Sequence, residues 1–153
     1  KLDPSKPFGY LRKASAAGKL ALYKGVLEAR EFVLMVRENA TKALELAGGD
    51  KEVLTWGNYI LGRGHLKLTD TPAVIRKPVG LGWGNLADAE KHLLAAKEQR
   101  PDSVLIWVEL AKLYKKQKKR DAFDQALAKA RILPVTEPTD KEGKETVAHL
   151  RWE

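Results

Sequence analysis

An alternation of small and large apolar residues between Asn85 and Arg131 constrains this chain more than any other feature. It reads Ala89-x3-Leu93-x2-Ala96-x4-Pro101, then Trp107-x2-Leu110-Ala111-x2-Tyr114, then Phe123-x3-Leu127-x2-Ala130. Spacings of three and four residues place side chains on one face of an α-helix. Small residues let two helices approach closely, and large residues fill the gaps between them. The stretch therefore predicts successive helices packed against one another.

This order of residues resembles the tetratricopeptide repeat (TPR), whose signature is W-x2-L-G-x2-Y, then A-x3-F, then P, within about 34 residues. Ala111 replaces the Gly of that signature, and Leu93 and Leu127 replace its Phe. Phe123 departs from the signature, which has a small Ala there. The resemblance implies an all-α fold, a right-handed superhelix of stacked antiparallel helix pairs (an α-solenoid) with about six to seven helices.

The resemblance covers one nearly complete repeat, residues 104–134, and one split by an insertion, residues 54–101. In the split repeat, Leu61-Gly62-x2-His65 takes the place of L-G-x2-Y, and Ala89 is expected to pack against Gly62. On Leu61-Gly62, the insertion, Gly84-Asn85-x3-Ala89 and Leu133-Pro134, the chain also loosely resembles two narrower groups. TPR proteins associated with TRAP transporters imply a periplasmic role with a partner or ligand. The TPR domain of regulator-of-microtubule-dynamics proteins implies binding at a membrane contact.

The apolar spacing and the positions of Gly and Pro predict the element boundaries. A tether is expected over residues 1–7, and a single TPR-like domain over residues 8–153. Helices are expected at residues 8–17, 20–47, 51–68 and 85–99, from 102 or 103 onward, from 121 to about 133, and, as a C-terminal capping helix, over 140–152.

Several residues are expected to begin or end these helices. Gly18 should stop the first, and Gly25 marks close packing or a bend within the second. Asp50 and Asn85 should cap the helices that follow them. Thr139-Asp-Lys-Glu142 is expected to form a capping box at the last helix.

Residues 69–84 interrupt the repeat and are expected to form an inserted loop, since they contain two prolines and alternating glycines. Loops of this length are uncommon in compact domains and are often functional. The loop is too apolar for a free linker, so it should pack back onto the helices. The apolar residues concerned are Val74, Ile75, Val79, Leu81 and Trp83.

Composition excludes several classes of site. The chain has no Cys, which removes disulfides, thiolate metal sites and cysteine nucleophiles. Its three histidines fall on different predicted helices without carboxylates at ligand spacing, so no metal is expected. No nucleophile elbow, phosphate-binding lysine motif or paired carboxylates occur, so we expect a non-catalytic protein without a cofactor. No uncharged run is long enough to cross a bilayer.

The TPR resemblance implies a concave groove that holds an extended or helical peptide. Its position-by-position correspondence assigns these groove residues: Trp56, Tyr59, Ile60, Arg63, Lys67, Leu105, Val108, Glu109, Lys112 and Lys116. They combine apolar side chains with cations, which suits a partner with acidic groups. Ile60 and Glu109 stand where a two-carboxylate clamp for chaperone tails needs amides, so that specificity is not expected.

Two further candidate sites follow from charge and from glycine. The net charge is +8, and residues 112–120 hold six Lys or Arg and no acid. This run reads as a solvated turn or as a polyanion-binding patch formed by Lys115, Lys118, Lys119 and Arg120. Gly84, Asn85 and Leu86, at a helix N-terminus, read as a plain turn or as an anion site.

Three hypotheses about function remain open. The first is a scaffold that binds a protein or peptide in the groove, as an accessory subunit of a bacterial envelope complex. The alternative is binding of anionic lipid or nucleic acid through residues 112–120; the run lacks interleaved aromatics for base stacking, which disfavours nucleic acid. The third is self-assembly into a homo-oligomer. Because Lys1 rather than Met opens the sequence, we expect a processed or truncated chain, and the periplasm is favoured slightly over the cytoplasm.

Overall fold

The structure, a computed structural model, describes residues 3–25 and 27–153. Eight α-helices, one short 3₁₀ helix and no β-strand occur in these residues. They are α1 (Pro7–Lys24), α2 (Arg30–Glu45), α3 (Lys51–Leu68), α4 (Ala73–Arg76), the 3₁₀ helix (Lys77–Val79), α5 (Leu86–Gln99), α6 (Val104–Lys116), α7 (Arg120–Ile132) and α8 (Pro138–His149). The predicted all-α class is confirmed.

The chain divides into two compact units, one ending at Gln99 and the other comprising Arg100–Glu153. The expectation of one domain over residues 8–153 stays a prediction. Part of the expected tether, Lys1 and Leu2, lies outside the described residues. The tether is one residue shorter than expected, because Pro7 already occupies the first turn of α1, where its fixed φ suits a helix start.

In the first unit, α1, α2 and α5 all pack against α3. Glycines on α3 permit two close approaches. A Cβ at Gly57 would lie 2.7 Å from Cδ2 of Leu44 on α2, and a Cβ at Gly62 would lie 2.7 Å from Cγ of Leu93 on α5. The expected partner of Gly62, Ala89, is fully buried, and the three atoms nearest to a Cβ at Gly62 belong to Leu93, one helical turn later.

The first two helices differ from their predicted boundaries. α1 continues through Gly18 to Lys24, so Gly18 is not a stop. The single helix expected over residues 20–47 is broken at Gly25, whose φ of 83° is a conformation that glycine adopts without steric cost. The glycine predicted to bend the helix in fact ends it.

The spacing of apolar residues did not reveal the break between α1 and α2. Ala21 on α1 and Ala29 and Val33 after the turn belong to one buried cluster. The periodic pattern therefore runs on across the turn and is typical of one helix. Val26, which falls within the helix expected over residues 20–47, lies outside the described residues.

The substitution Gly18→Ala should raise the free energy of unfolding by about 0.5–1 kcal/mol, because alanine favours the helix. Its Cβ would lie 3.7 Å from Cγ2 of Val36, an ordinary contact. Gly62→Ala should instead lower it by about 2 kcal/mol, since overpacking outweighs the gain in propensity; its Cβ would also lie 3.1 Å from the backbone N of Leu93. Urea unfolding measures both, and equal effects would contradict the close packing of α3 on α5.

Two predicted caps and one predicted helix are confirmed. α3 spans Lys51–Leu68 as expected, and Asp50 accepts hydrogen bonds from the backbone N–H groups of Glu52 and Val53. At the start of α5, Oδ1 of Asn85 accepts the backbone N–H of Asp88 at 2.8 Å. Each cap satisfies helix N–H groups that have no partner within the helix.

The inserted loop packs back only in part. Leu81 is fully buried and Trp83 is half-buried. The other three residues expected to pack, Val74, Ile75 and Val79, are exposed, because the loop folds into α4 and the 3₁₀ helix with this edge outward. The extra helix α4 raises the count to eight α-helices, against the six to seven expected.

In the second unit, α6 packs against α7 and α8. The capping box of α8 is formed by Glu137 and Asp140, not by Thr139 and Glu142. The helix consequently begins at Pro138 instead of residue 140, and it ends at His149 instead of residue 152. Asp140 is preferred because its buried carboxylate accepts hydrogen bonds from more than one segment of this unit.

Candidate functional site

A cavity of about 280 Å³ lies in the first unit among α1, α2 and α3. Four of the predicted groove residues line it: Tyr59, Ile60, Arg63 and Lys67. Trp56, the fifth groove residue on α3, does not line the cavity and packs edge-to-face on Tyr59, with ring centroids 5.5 Å apart. The predicted set on α3 is thus brought together on one face.

The walls of this cavity are mostly apolar. α2 contributes Val33 and Val36, and α3 contributes Ile60 and Leu68. The α1 wall is made of small residues, Ala14, Gly18 and Ala21. Because these side chains are short, α1 leaves space where larger residues would fill the interior. Mutual contact between α1 and the other two helices is therefore incomplete at this point.

The inserted loop supplies a further wall through Trp83. Its ring lies edge-on to His65 at 4.9 Å, and the guanidinium of Arg37 lies over it at 5.3 Å. The loop itself is held by buried Arg76, which donates to the carbonyl oxygens of Thr71 and Leu81, each at 3.0 Å. Trp83 thus brings the inserted loop, which was expected to pack back onto the helices, to the wall of the cavity.

The described residues that line the cavity include three cations and no acidic residue. Lys19 comes from α1, whereas Arg63 and Lys67 come from α3, one turn apart. Lys67 also pairs with the carboxylate of Asp70 at 2.9 Å. The cavity thus combines an apolar interior with positive charge on two of its helices, a combination suited to a ligand that carries both apolar and acidic groups.

The predicted groove residues on α6 are placed differently. Leu105, Val108 and Glu109 are all buried, and Glu109 accepts a 2.7 Å hydrogen bond from Nζ of Lys112. Lys116 is exposed at the end of the helix. These three side chains are as buried as Tyr59 on α3, whereas Lys112 is half-buried and Lys116 is exposed.

Residues 112–120 end α6 and turn into α7, and several of their cations are already engaged. Nζ of Lys115 donates to the carbonyl oxygen of Arg151, and Arg120 pairs with Asp124 at 2.9 Å. Lys119 lies over the ring of Tyr114. Lys118 occupies the turn itself with a φ of 58°. Polyanion binding by this patch stays a prediction, and the patch is less free than the sequence alone indicates.

The geometry around Gly84, Asn85 and Leu86 favours a packed turn. A Cβ at Gly84 would lie 2.8 Å from Cδ1 of Leu68, so this glycine permits close packing. The backbone N–H of Asn85 is directed at Nδ1 of His65, at 3.4 Å. The carboxylate of Asp88 accepts the Asn85 side-chain amide at 2.8 Å, and this hydrogen bond holds the pKa of Asp88 below its usual range. The negative charge of Asp88 would repel an anion bound at this turn.

A pair of stacked histidines, His65 on α3 and His92 on α5, was not foreseen from the sequence. Their ring centroids lie 5.6 Å apart with an interplanar angle of 18°. Nδ1 of His92 lies 2.8 Å from Oδ1 of Asn58, to which it donates in its Nδ1–H tautomer. The histidines stand 27 positions apart, and only the register of α5 on α3 brings them together.

The pKa values of both histidines are lowered, which favours the neutral form. Burial, followed by the nearby His92, lowers the pKa of His65 from 6.5 to about 4. Burial, followed by the charge of Lys91, lowers the pKa of His92. Among the described residues, no group of three or more His, Asp or Glu side chains is arranged to hold a metal ion. The third histidine, His149, is exposed on α8.

No protein-family model, curated protein or solved structure matches this chain. Within residues 3–25 and 27–153, none of the helices has the length and apolar character needed to cross a membrane.

Proposed function

We propose that this chain is a non-catalytic TPR-like scaffold that binds a protein or peptide partner with acidic groups. The superhelical stacking of antiparallel helix pairs and an accessory role in a bacterial envelope complex are parts of this proposal. Support for the repeat comes from the small residues Ala89 and Ala111, both fully buried as the signature requires. In the second unit, α6, which carries the W-x2-L-A-x2-Y segment, packs on α7.

The observation that carries the proposal is the α1–α3 cavity. It gathers Tyr59, Ile60, Arg63 and Lys67, four of the ten residues that the TPR resemblance assigns to partner binding, around one apolar opening. Peptide-binding grooves commonly read a partner through pockets for its side chains. The cations at this opening favour an acidic partner and disfavour a basic one.

A random peptide library displayed on phage, with the 153-residue chain as bait, tests this function. We expect enrichment of peptides rich in Asp and Glu, and loss of that enrichment when Arg63→Glu and Lys67→Glu are combined. The matched control, Arg12→Glu with Lys51→Glu, changes the net charge equally at two exposed residues outside the cavity. Absence of enrichment, or equal loss in both double variants, would contradict the proposal.

A further inference from the structure

The size of the α1–α3 cavity indicates what could enter it. Its volume of about 280 Å³ is close to twice the roughly 150 Å³ of an apolar cavity that accepts benzene. A large aromatic or aliphatic side chain therefore fits, whereas a folded helix does not. Val33, Val36 and Leu68 supply apolar contact for such a group.

The charges around the cavity are distributed, not concentrated at one point. Lys19 lies on α1, and Arg63 and Lys67 lie on α3, so cations belong to two different helices. A ligand with a single acidic group could pair closely with only part of this set. A chain segment with acidic residues before and after its apolar residue would carry charge toward both helices.

A second observation concerns the C-terminal turns of α1. Leu20 and Leu22 are exposed by 48% and 46%, and Tyr23 by 95%. Leu22 also lines the cavity. Residues two positions apart lie on different faces of an α-helix, so of these three side chains only Leu22 borders the opening. The exposed part of Leu22 extends the apolar contact available to a partner beyond the side chain that enters the cavity.

We propose that the cavity anchors one bulky apolar side chain of a partner segment whose neighbouring residues are acidic. The inference rests on the proposed function and specifies its ligand: burial of the anchor provides affinity, and the cations of α1 and α3 select the flanking charges. A few anchors buried in pockets commonly dominate the affinity of an interface.

Calorimetry with synthetic pentapeptides, acetylated and amidated at their ends, tests the anchor directly. We expect Asp-Glu-Trp-Glu-Asp to bind the 153-residue chain at least about tenfold more tightly than Asp-Glu-Ala-Glu-Asp or Lys-Lys-Trp-Lys-Lys. Indole-3-propionate, a small acid with the same ring, should bind more weakly than the Trp-centred acidic peptide. Equal affinity of the Trp- and Ala-centred peptides, or binding of indole-3-propionate as tight as that of the peptide, would overturn the proposal.

Two matched variants locate the binding. Gly18→Leu places a side chain into the cavity and should weaken binding of the acidic Trp peptide at least about tenfold. The new Cβ is tolerated, because the nearest atom would lie 3.7 Å from it. Ala16→Leu adds the same side chain at an exposed position of α1 outside the cavity and should leave binding unchanged. Unchanged binding in Gly18→Leu would overturn the anchor. If the peptide binds at the cavity while the phage library enriches no acidic sequences, only the broader function fails.

Discussion

Replacement of Asp140 by alanine should lower the free energy of unfolding of the second unit by about 4 kcal/mol, a large effect for a single substitution. The carboxylate is 1% exposed. It accepts the N–H of Val104 at 3.1 Å, the N–H and hydroxyl of Thr136 at 2.9 and 3.0 Å, and the N–H of Glu137 at 3.1 Å. Truncation leaves these donors without their charged acceptor.

The reason for so large a cost is that Asp140 serves two helix starts. Ser103, at the N-cap position of α6, makes no side-chain cap hydrogen bond, and Asp140 from α8 supplies the acceptor for Val104 instead. Its negative charge also lies at the start of α8, the positive end of that helix dipole.

Two further variants and one measurement test this account. Asp140→Asn, which keeps one oxygen acceptor but loses the charge, should cost about half as much as Asp140→Ala. Ser103→Ala should cost less than the roughly 1 kcal/mol typical of a true cap. Guanidinium unfolding followed by circular dichroism measures all three. A small loss in Asp140→Ala, or a loss in Ser103→Ala of the same size, would contradict the shared cap.

Acidification should destabilise the first unit by up to about 3 kcal/mol between pH 6.5 and pH 4. The pKa of His65 is lowered from 6.5 to about 4 in the folded chain, first by burial and then by His92. The unfolded chain therefore binds a proton at higher pH than the folded chain does. This contribution to stability is complete above pH 6.5, is lost as the pH falls toward 4, and changes no further below it.

The groups that face His65 set this response. His92 on α5 and Arg37 on α2 disfavour a positive charge on the ring, whereas Asp88 on α5 favours one. Protonation of Nδ1 would also remove the acceptor of the Asn85 N–H at the start of α5. The transition should therefore involve the contact between α3 and α5.

Chemical denaturation at a series of pH values measures this dependence. His65→Gln should flatten it, whereas the control His149→Gln, at an exposed position on α8, should retain it. NMR titration of the His65 ring gives the folded pKa independently. A midpoint near 6.5, or an unchanged pH profile in His65→Gln, would contradict the buried, neutral assignment.

Local signals in the sequence predicted much of the fold. Uninterrupted helical spacing between Gly49 and Thr69 and a side-chain cap at Asp50 fixed α3, and Asn85 fixed the start of α5. These predictions succeeded because a cap acts on N–H groups within three residues of itself. The set on α3 that includes Tyr59 and Arg63 came from the TPR resemblance, and four members of that set line one cavity.

The remaining features depend on contacts between distant residues. Asp140 rather than Thr139 takes part in the capping box, because its carboxylate also accepts a hydrogen bond from Val104, 36 positions earlier. The histidine pair depends on how Leu93 settles over Gly62, a register that no local pattern specifies. The cavity likewise arises from small residues on α1. The sequence alone does not show that these residues leave space between α1, α2 and α3.

The most direct test of the central claim is an NMR titration of the isotope-labelled chain with the acidic Trp-centred pentapeptide. Binding at the α1–α3 cavity predicts that the largest amide shifts occur at Lys19, Ile60 and Arg63. Saturating shifts confined to residues 112–120, or no saturating shifts at any residue, would contradict it.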